Sequence, residues 1–366
     1  MINKVIYLII LITLFLAQDK NIRNNYLEII YIYQIIFIVV TGIYIFINYS
    51  SISKNELKLI IGTLICLLIF PNYYLFLYIL IISKGIEQQK RVFYFLLISV
   101  FFYLLVILFD KIGLYSELEF SRRLFLRGGK ILREDLGFGN PNTAAGALFP
   151  ILMSIYYLWY EKNRKIVLGI ILILTKIIYT ITLSRTLVYV VFILIFISFI
   201  KNKYLYKLRY YVYLMVFFIL YFSFILPSKL KGTIYDSILS WRFTYFDYFL
   251  TNYKISLLGS IGRNESIELA LDNVYIMILL KNGIIGIIIL VVLIIYIFRL
   301  LYKYNDYKAI RIFLVTLIYG MIEAIVFDYK YTILHLILYE YLINLNIKIK
   351  NNVERRSYKK FKHIEK

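Results

Sequence analysis

Four arginines, Arg133, Arg185, Arg242 and Arg263, and two carboxylates, Asp272 and Glu323, are the residues whose type and setting could do chemistry in this chain. A guanidinium is a planar fork of fixed charge that binds phosphate-like oxygens in pairs, so arginines meeting in one place form an anion site. A carboxylate at the mouth of a helix can orient a hydroxyl and take its proton. Asp272 leads into the apolar run that begins at Val274, and Glu323 lies near the end of a later one. Either is the candidate base. A cysteine or histidine metal set is excluded by the composition, because the single cysteine, Cys66, is inside an apolar run and His335 and His363 are far apart.

The elements that must hold these groups are helices in lipid. Of the 366 residues 62% are hydrophobic and 17% charged, against roughly 45–50% and about 25% in a soluble domain. Apolar runs approach the ~20 residues that cross a ~30 Å hydrocarbon layer. The expected fold is therefore all-α, a polytopic integral membrane protein with about 12 transmembrane helices. Spans are expected at 5–17, 26–48, 57–70, 71–83, 92–110, 143–160, 166–182, 186–200, 210–226, 276–298, 312–327 and 331–346. They form one membrane domain, 1–346, followed by a basic tail, 347–366.

Charge sets the orientation. The net charge of +21 gathers in the segments Glu161–Lys165, Lys201–Arg209, Arg299–Arg311 and the tail, which places them and both termini in the cytoplasm. This is a membrane pattern and no nucleic-acid groove. The tail suits anionic headgroups of the bilayer. Two large loops, 111–142 and 227–275, and the break at Ser184-Arg185 then share the extracytoplasmic side, and every candidate group falls there.

In the first loop, Leu114 to Arg127 reads as a helix, with Arg123, Arg127 and Lys130 at one-face spacing, serving as a basic ledge or lying in the headgroup layer. Gly137-Phe138-Gly139-Asn140-Pro141-Asn142 is a turn whose bare amides can approach a ligand, feeding a helix start where Asn142 is either a cap or a ligand group. Arg185 is costly in a span unless paired or wet. Lys176, nine residues earlier, lines the same cavity or pairs with Glu323. Asp272 is a base, a helix cap or both, and Asn273 and Tyr275 beside it offer further hydrogen-bonding groups.

Taken together, Gly137–Asn142, Ser184-Arg185-Thr186, Arg242 leading to Leu257-Leu258-Gly259, and Asp272-Asn273-Val274-Tyr275 leading to Asn282-Gly283 resemble the O-antigen ligase and Wzy-type polysaccharide polymerase superfamily. The resemblance covers about 137–283, and by topology the whole chain. It implies a GT-C-like architecture in the bacterial cytoplasmic membrane and transfer of a glycan from undecaprenyl pyrophosphate to an acceptor sugar hydroxyl. It implies inversion at the anomeric carbon, no metal and no cofactor. Arg185, Arg242 and Arg263, then Arg133, would clamp the pyrophosphate; Asn140, Asn142, Asn273 and Tyr275 would contact substrate; Asp272 or Glu323 would be the base. A chain-length regulator and a flippase are the implied partners. Ligases of this superfamily usually carry histidine where this chain has Asp272, so the pattern favours a polymerase, with ligase-type transfer to a lipid or protein as alternative. A lipid-linked oligosaccharide flippase is the alternative of another class; it would show repeat symmetry and broken helices.

Overall fold

The computed structural model describes residues 86–113, 125–127, 131–260, 271–324 and 332–343. They form a helix bundle. Its elements are α1 (Gln88–Lys111), the strands β1 (Phe125–Arg127) and β2 (Ile131–Arg133), α2 (Pro141–Trp159), α3 (Arg164–Thr182) and α4 (Arg185–Phe199). Then come α5 (Asn202–Lys207), a 3-10 turn, α6 (Val212–Phe224), the short α7 (Leu226–Leu230) and α8 (Ile234–Ile238), α9 (Arg242–Asn252), α10 (Val274–Tyr304), α11 (Tyr307–Gly320) and α12 (Leu334–Ile343).

Every expected span from 92–110 onward coincides with a helix; those at 5–17, 26–48, 57–70 and 71–83, and the tail, lie outside the described residues. Among the described residues, four helical stretches are long and apolar enough to cross a membrane: Gln88–Lys111, Arg164–Thr182, Asn202–Phe224 and Val274–Tyr304. The chain is a membrane-embedded helical protein. Large apolar side chains at the bundle surface agree, Phe196, Leu214, Phe217 and Ile173 each being more than half exposed, because hydrocarbon rather than water solvates them.

Two sequence expectations are corrected. The first loop is not helical through Arg127: Phe125–Arg127 pairs antiparallel with Ile131–Arg133, Arg127 opposite Ile131. The Gly128-Gly129 pair between them is a sequence that favours hairpins over helix. Among the described residues the span expected at 312–327 is an α-helix only as far as Gly320, and Glu323 lies just beyond the helix end.

The two ends of the bundle differ. At one, Arg311 donates to the carbonyls of Ile197 and Ile200 and to Asn202 Oδ1, Lys308 pairs with Glu161 at 3.2 Å, and Tyr157 and Tyr341 both donate to Asp306. The segments assigned to the cytoplasm by charge thus gather together. The candidate site forms at the opposite end.

A small second core sits there. Phe243, Phe246 and Phe249 of α9 repeat every third residue and bury against Leu271 and, on α10, Ile276 and Leu280. Each such side chain is worth about 1.5–3 kcal/mol of burial.

The helix α10 is not continuous. Gly283 has φ 69° and ψ −166°, which breaks it. The segment Ser256–Ser260 fills the breach: Ser260 N donates to the Leu280 carbonyl, while Ile284 N and Ile285 N donate to the carbonyls of Ser256 and Leu257. Groups that a break would orphan in an apolar setting are thereby paired, as they must be.

Candidate active site

Arg242 is the hub. It is 7% exposed, and its Nη2 donates to Glu323 Oε1 at 2.9 Å and to Thr186 Oγ1 at 3.3 Å. The same nitrogen lies 3.2 Å from Asp272 Oδ2. Three chain-distant segments meet on one guanidinium: the start of α4, the residues leading into α10 and the turn after α11. Burying these ions costs several kcal/mol each, offset only when charge and hydrogen bonds are matched. Glu323 is the enclosed partner, its side chain 4% exposed, whereas that of Asp272 keeps 32%.

Surroundings strip much of the water from the Asp272 carboxyl, which raises its pKa above the ordinary carboxylate range, while Arg242 pulls it back down. One guanidinium also faces two carboxylates, so the group carries surplus negative charge when both are ionised.

Arg242 reaches its partners because of how α9 begins. Ser240 and Trp241 both have positive φ, 60° and 62°, a conformation that costs a non-glycine residue about 1–2 kcal/mol. Trp241 occupies the cap position and has no capping side chain. Asp236 takes that role: it accepts from Phe243 N at 2.8 Å and from Thr244 N at 3.2 Å, with Thr244 Oγ1 and Gly232 N as further donors. Sequence reasoning missed Asp236, because a cap delivered from outside the first turn has no fixed spacing.

Arg185 opens α4, next to Thr186, and is exposed. Among the described residues it has no ion pair or hydrogen-bonding side-chain partner. The Ser184 hydroxyl before it and Arg242 Nη1 are buried and also unbonded. The start of this fifteen-residue helix, its positive end, is tied to Arg242 through Thr186 Oγ1.

Arg133 is half-buried and ties the first loop to this place, donating from Nε to the Thr182 carbonyl at 2.8 Å and from Nη2 to Asn142 Oδ1 at 2.9 Å. It caps the C-terminal end of α3, where Leu183 turns left-handed. Asn140, not Asn142, caps α2, accepting from Asn142 N at 2.8 Å. Gly139, with φ 73°, supplies the turn before it.

The expected roles of Asn273 and Tyr275 are corrected. Asn273, not Asp272, caps α10, accepting from Tyr275 N and Ile276 N. Its amide donates to Ser223 Oγ and to the Met321 carbonyl. Tyr275 donates to the Leu317 carbonyl at 2.8 Å. Both are fully buried, and these bonds hold neighbouring helices together. Lys176 is exposed on α3, and Glu323 takes Arg242 in its place. Arg263 lies outside the described residues, as do Arg123 and Lys130.

One further carboxylate joins the loop. Asp135 is buried, with Oδ1 accepting from Gly137 N at 3.2 Å and Oδ2 unbonded. Burial raises its pKa, and nearby Asp110 adds to the rise.

Comparison of the chain with protein families, with curated proteins and with solved structures finds no match.

Proposed function

We propose that this protein is a membrane glycosyltransferase that moves a glycan from a polyprenyl pyrophosphate to a sugar hydroxyl, acting as a polysaccharide polymerase. The observation that carries the reading is the shared buried guanidinium of Arg242, held by Asp272 and Glu323 and bonded to Thr186 at the start of α4, next to the exposed Arg185. Such a constellation at one end of a lipid-embedded bundle suits a substrate whose anionic head sits at the membrane surface and whose tail stays in lipid.

In this reading Arg185 meets the diphosphate first, being exposed and unpaired, with Arg133 and Arg263 as further positive groups. Arg242 is engaged by two carboxylates and turns to the diphosphate during the reaction. The acceptor hydroxyl attacks the anomeric carbon, the bond from that carbon to the phosphate oxygen breaks, and its electron pair leaves with the diphosphate. The hydroxyl proton goes to Asp272. Its neutralisation relaxes one hold on Arg242 as negative charge builds on the leaving group, so the guanidinium stabilises the transition state more than the ground state. Glu323 keeps Arg242 in place throughout. Inversion at the anomeric carbon and a chain-length regulator as partner belong to the same proposal.

One observation favours a transporter instead. The interruption of α10 at Gly283, about 14 Å of helix from its start, is the kind of broken helix that transporters place at the bilayer midplane. Here the breach is filled by the backbone of Ser256–Ser260, and the charged groups cluster nearer the helix mouth, which supports the enzyme. The deciding experiment supplies purified protein with a lipid-linked oligosaccharide repeat unit. A ladder of products is expected; a single transfer to a different acceptor would make it a ligase, and movement across a vesicle membrane without any new glycosidic bond would make it a flippase.

A further inference from the structure

Resting on the anion site proposed above, we infer that Asp236 is a positioning residue that aims Arg242 into that site. Asp236 is fully buried, and among the described residues no cation neutralises it. Backbone amides of Gly232, Phe243 and Thr244 and the Thr244 hydroxyl solvate the carboxylate instead.

Two of those amides belong to the residues directly after Arg242, the positions a capping side chain serves. The backbone of Asp236 joins in, its carbonyl accepting from Trp241 N at 2.8 Å. Side chain and main chain of one residue therefore fix both sides of Arg242. The left-handed pair Ser240-Trp241 turns the chain so that Arg242 leaves α9 toward Thr186, Asp272 and Glu323.

A carboxylate needed only to start a short helix has no reason to be wholly enclosed or to use two oxygens on four donors. Both follow if the task is to hold one backbone position within a few tenths of an ångström, because small misplacements of a charged group in a site are costly. Asp247, on the same helix, provides the contrast: it pairs with Lys231 at 2.6 Å, away from Arg242.

The test measures binding of inorganic pyrophosphate to the purified full chain by titration calorimetry, with thermal midpoints recorded alongside. Asp236→Asn is expected to weaken binding by about tenfold. Asp247→Asn is expected to lower the thermal midpoint with binding unchanged. Equal binding by Asp236→Asn and the parent overturns the inference, and so does an equal loss in both variants, which would mark a general loosening. If Asp236→Asn yields no folded protein, Thr244→Val, which removes only the hydroxyl donor, is expected to weaken binding by about threefold; no change there overturns the inference too. A parent chain that binds no pyrophosphate overturns the functional reading itself, and the role of Asp236 falls with it. A parent that binds while Asp236→Asn binds equally removes only that role.

Discussion

Gly259 and Gly283 lie backbone against backbone. A Cβ on Gly283 would fall 2.2 Å from the Leu257 carbonyl oxygen, and one on Gly259 would fall 2.3 Å from that of Lys281. Both have positive φ, 101° and 69°. The segment that follows α9 is thus seated in the gap of α10 at two glycines whose missing side chains let the main chains touch.

Alanine at either glycine should cost at least about 3 kcal/mol, combining the left-handed penalty with displacement of a main chain. Gly139→Ala is the control, since it shares a positive φ of 73° but its Cβ would meet nothing within 4 Å; about 1–2 kcal/mol is expected there. Thermal midpoints in one detergent at one scan rate would rank them. Equal losses at Gly139 and Gly283 would contradict the close-packing account.

Arg185 and Arg242 should behave in opposite ways when removed. Arg185 is exposed and unpaired among the described residues, so Arg185→Ala should leave stability within about 0.5 kcal/mol and abolish polymer. Arg242→Ala strands two carboxylates, and a loss of about 3–5 kcal/mol is expected with activity gone as well. Protein level and unfolding midpoint, scored beside polymer on gels, separate the two. Polymer made by the Arg185→Ala variant would remove the clamp assignment.

Tyr275→Phe tests the corrected role of that residue. Its hydroxyl donates to the Leu317 carbonyl across the helix interface, so about 0.5–1.5 kcal/mol of stability should go. The acceptor concentration giving half-maximal rate should not move. A several-fold rise in that concentration would return Tyr275 to the substrate site.

The pH dependence follows from Asp272. Loss of water around its carboxyl raises the pKa, with Arg242 opposing, so folding favours the protonated form. That stability is fully present below the unfolded value of about 3.9 and is lost as pH rises through the folded one. With Asp272 as the proposed base, activity should have the reverse slope, because only the ionised carboxylate accepts a proton. Initial transfer rates should therefore climb across a pH range above the usual carboxylate value, and Asp272→Asn should abolish the climb. A climb that survives in Asp272→Asn would move the base to Glu323.

The helices from Gln88 onward were legible because hydropathy and basic loops are properties of long stretches, and averaging forgives local error. The convergence of Ser184-Arg185-Thr186, Arg242, Asp272 and Glu323 was legible in part, since alternating spans had to bring them to one end. Finer assignments depended on single contacts. Asn273 beats Asp272 as the cap because its amide can also donate to Ser223 and Met321, which a carboxylate cannot do. Lys176 loses Glu323 to Arg242 because its helical phase faces outward, with Thr175 beside it buried. The strands Phe125–Arg127 and Ile131–Arg133 are too short for a period to register.

Arg242 also constrains how the protein is made. Its innermost partner, Glu323, lies 81 positions further along the chain, and synthesis delivers the chain from the N-terminus. While α11 is still to be threaded into the bilayer, Asp272 is the one acidic partner of Arg242 already made, and the enclosed one, Glu323, is missing. The late helices therefore act as a keystone: this corner of the protein closes only when the ribosome has passed Glu323.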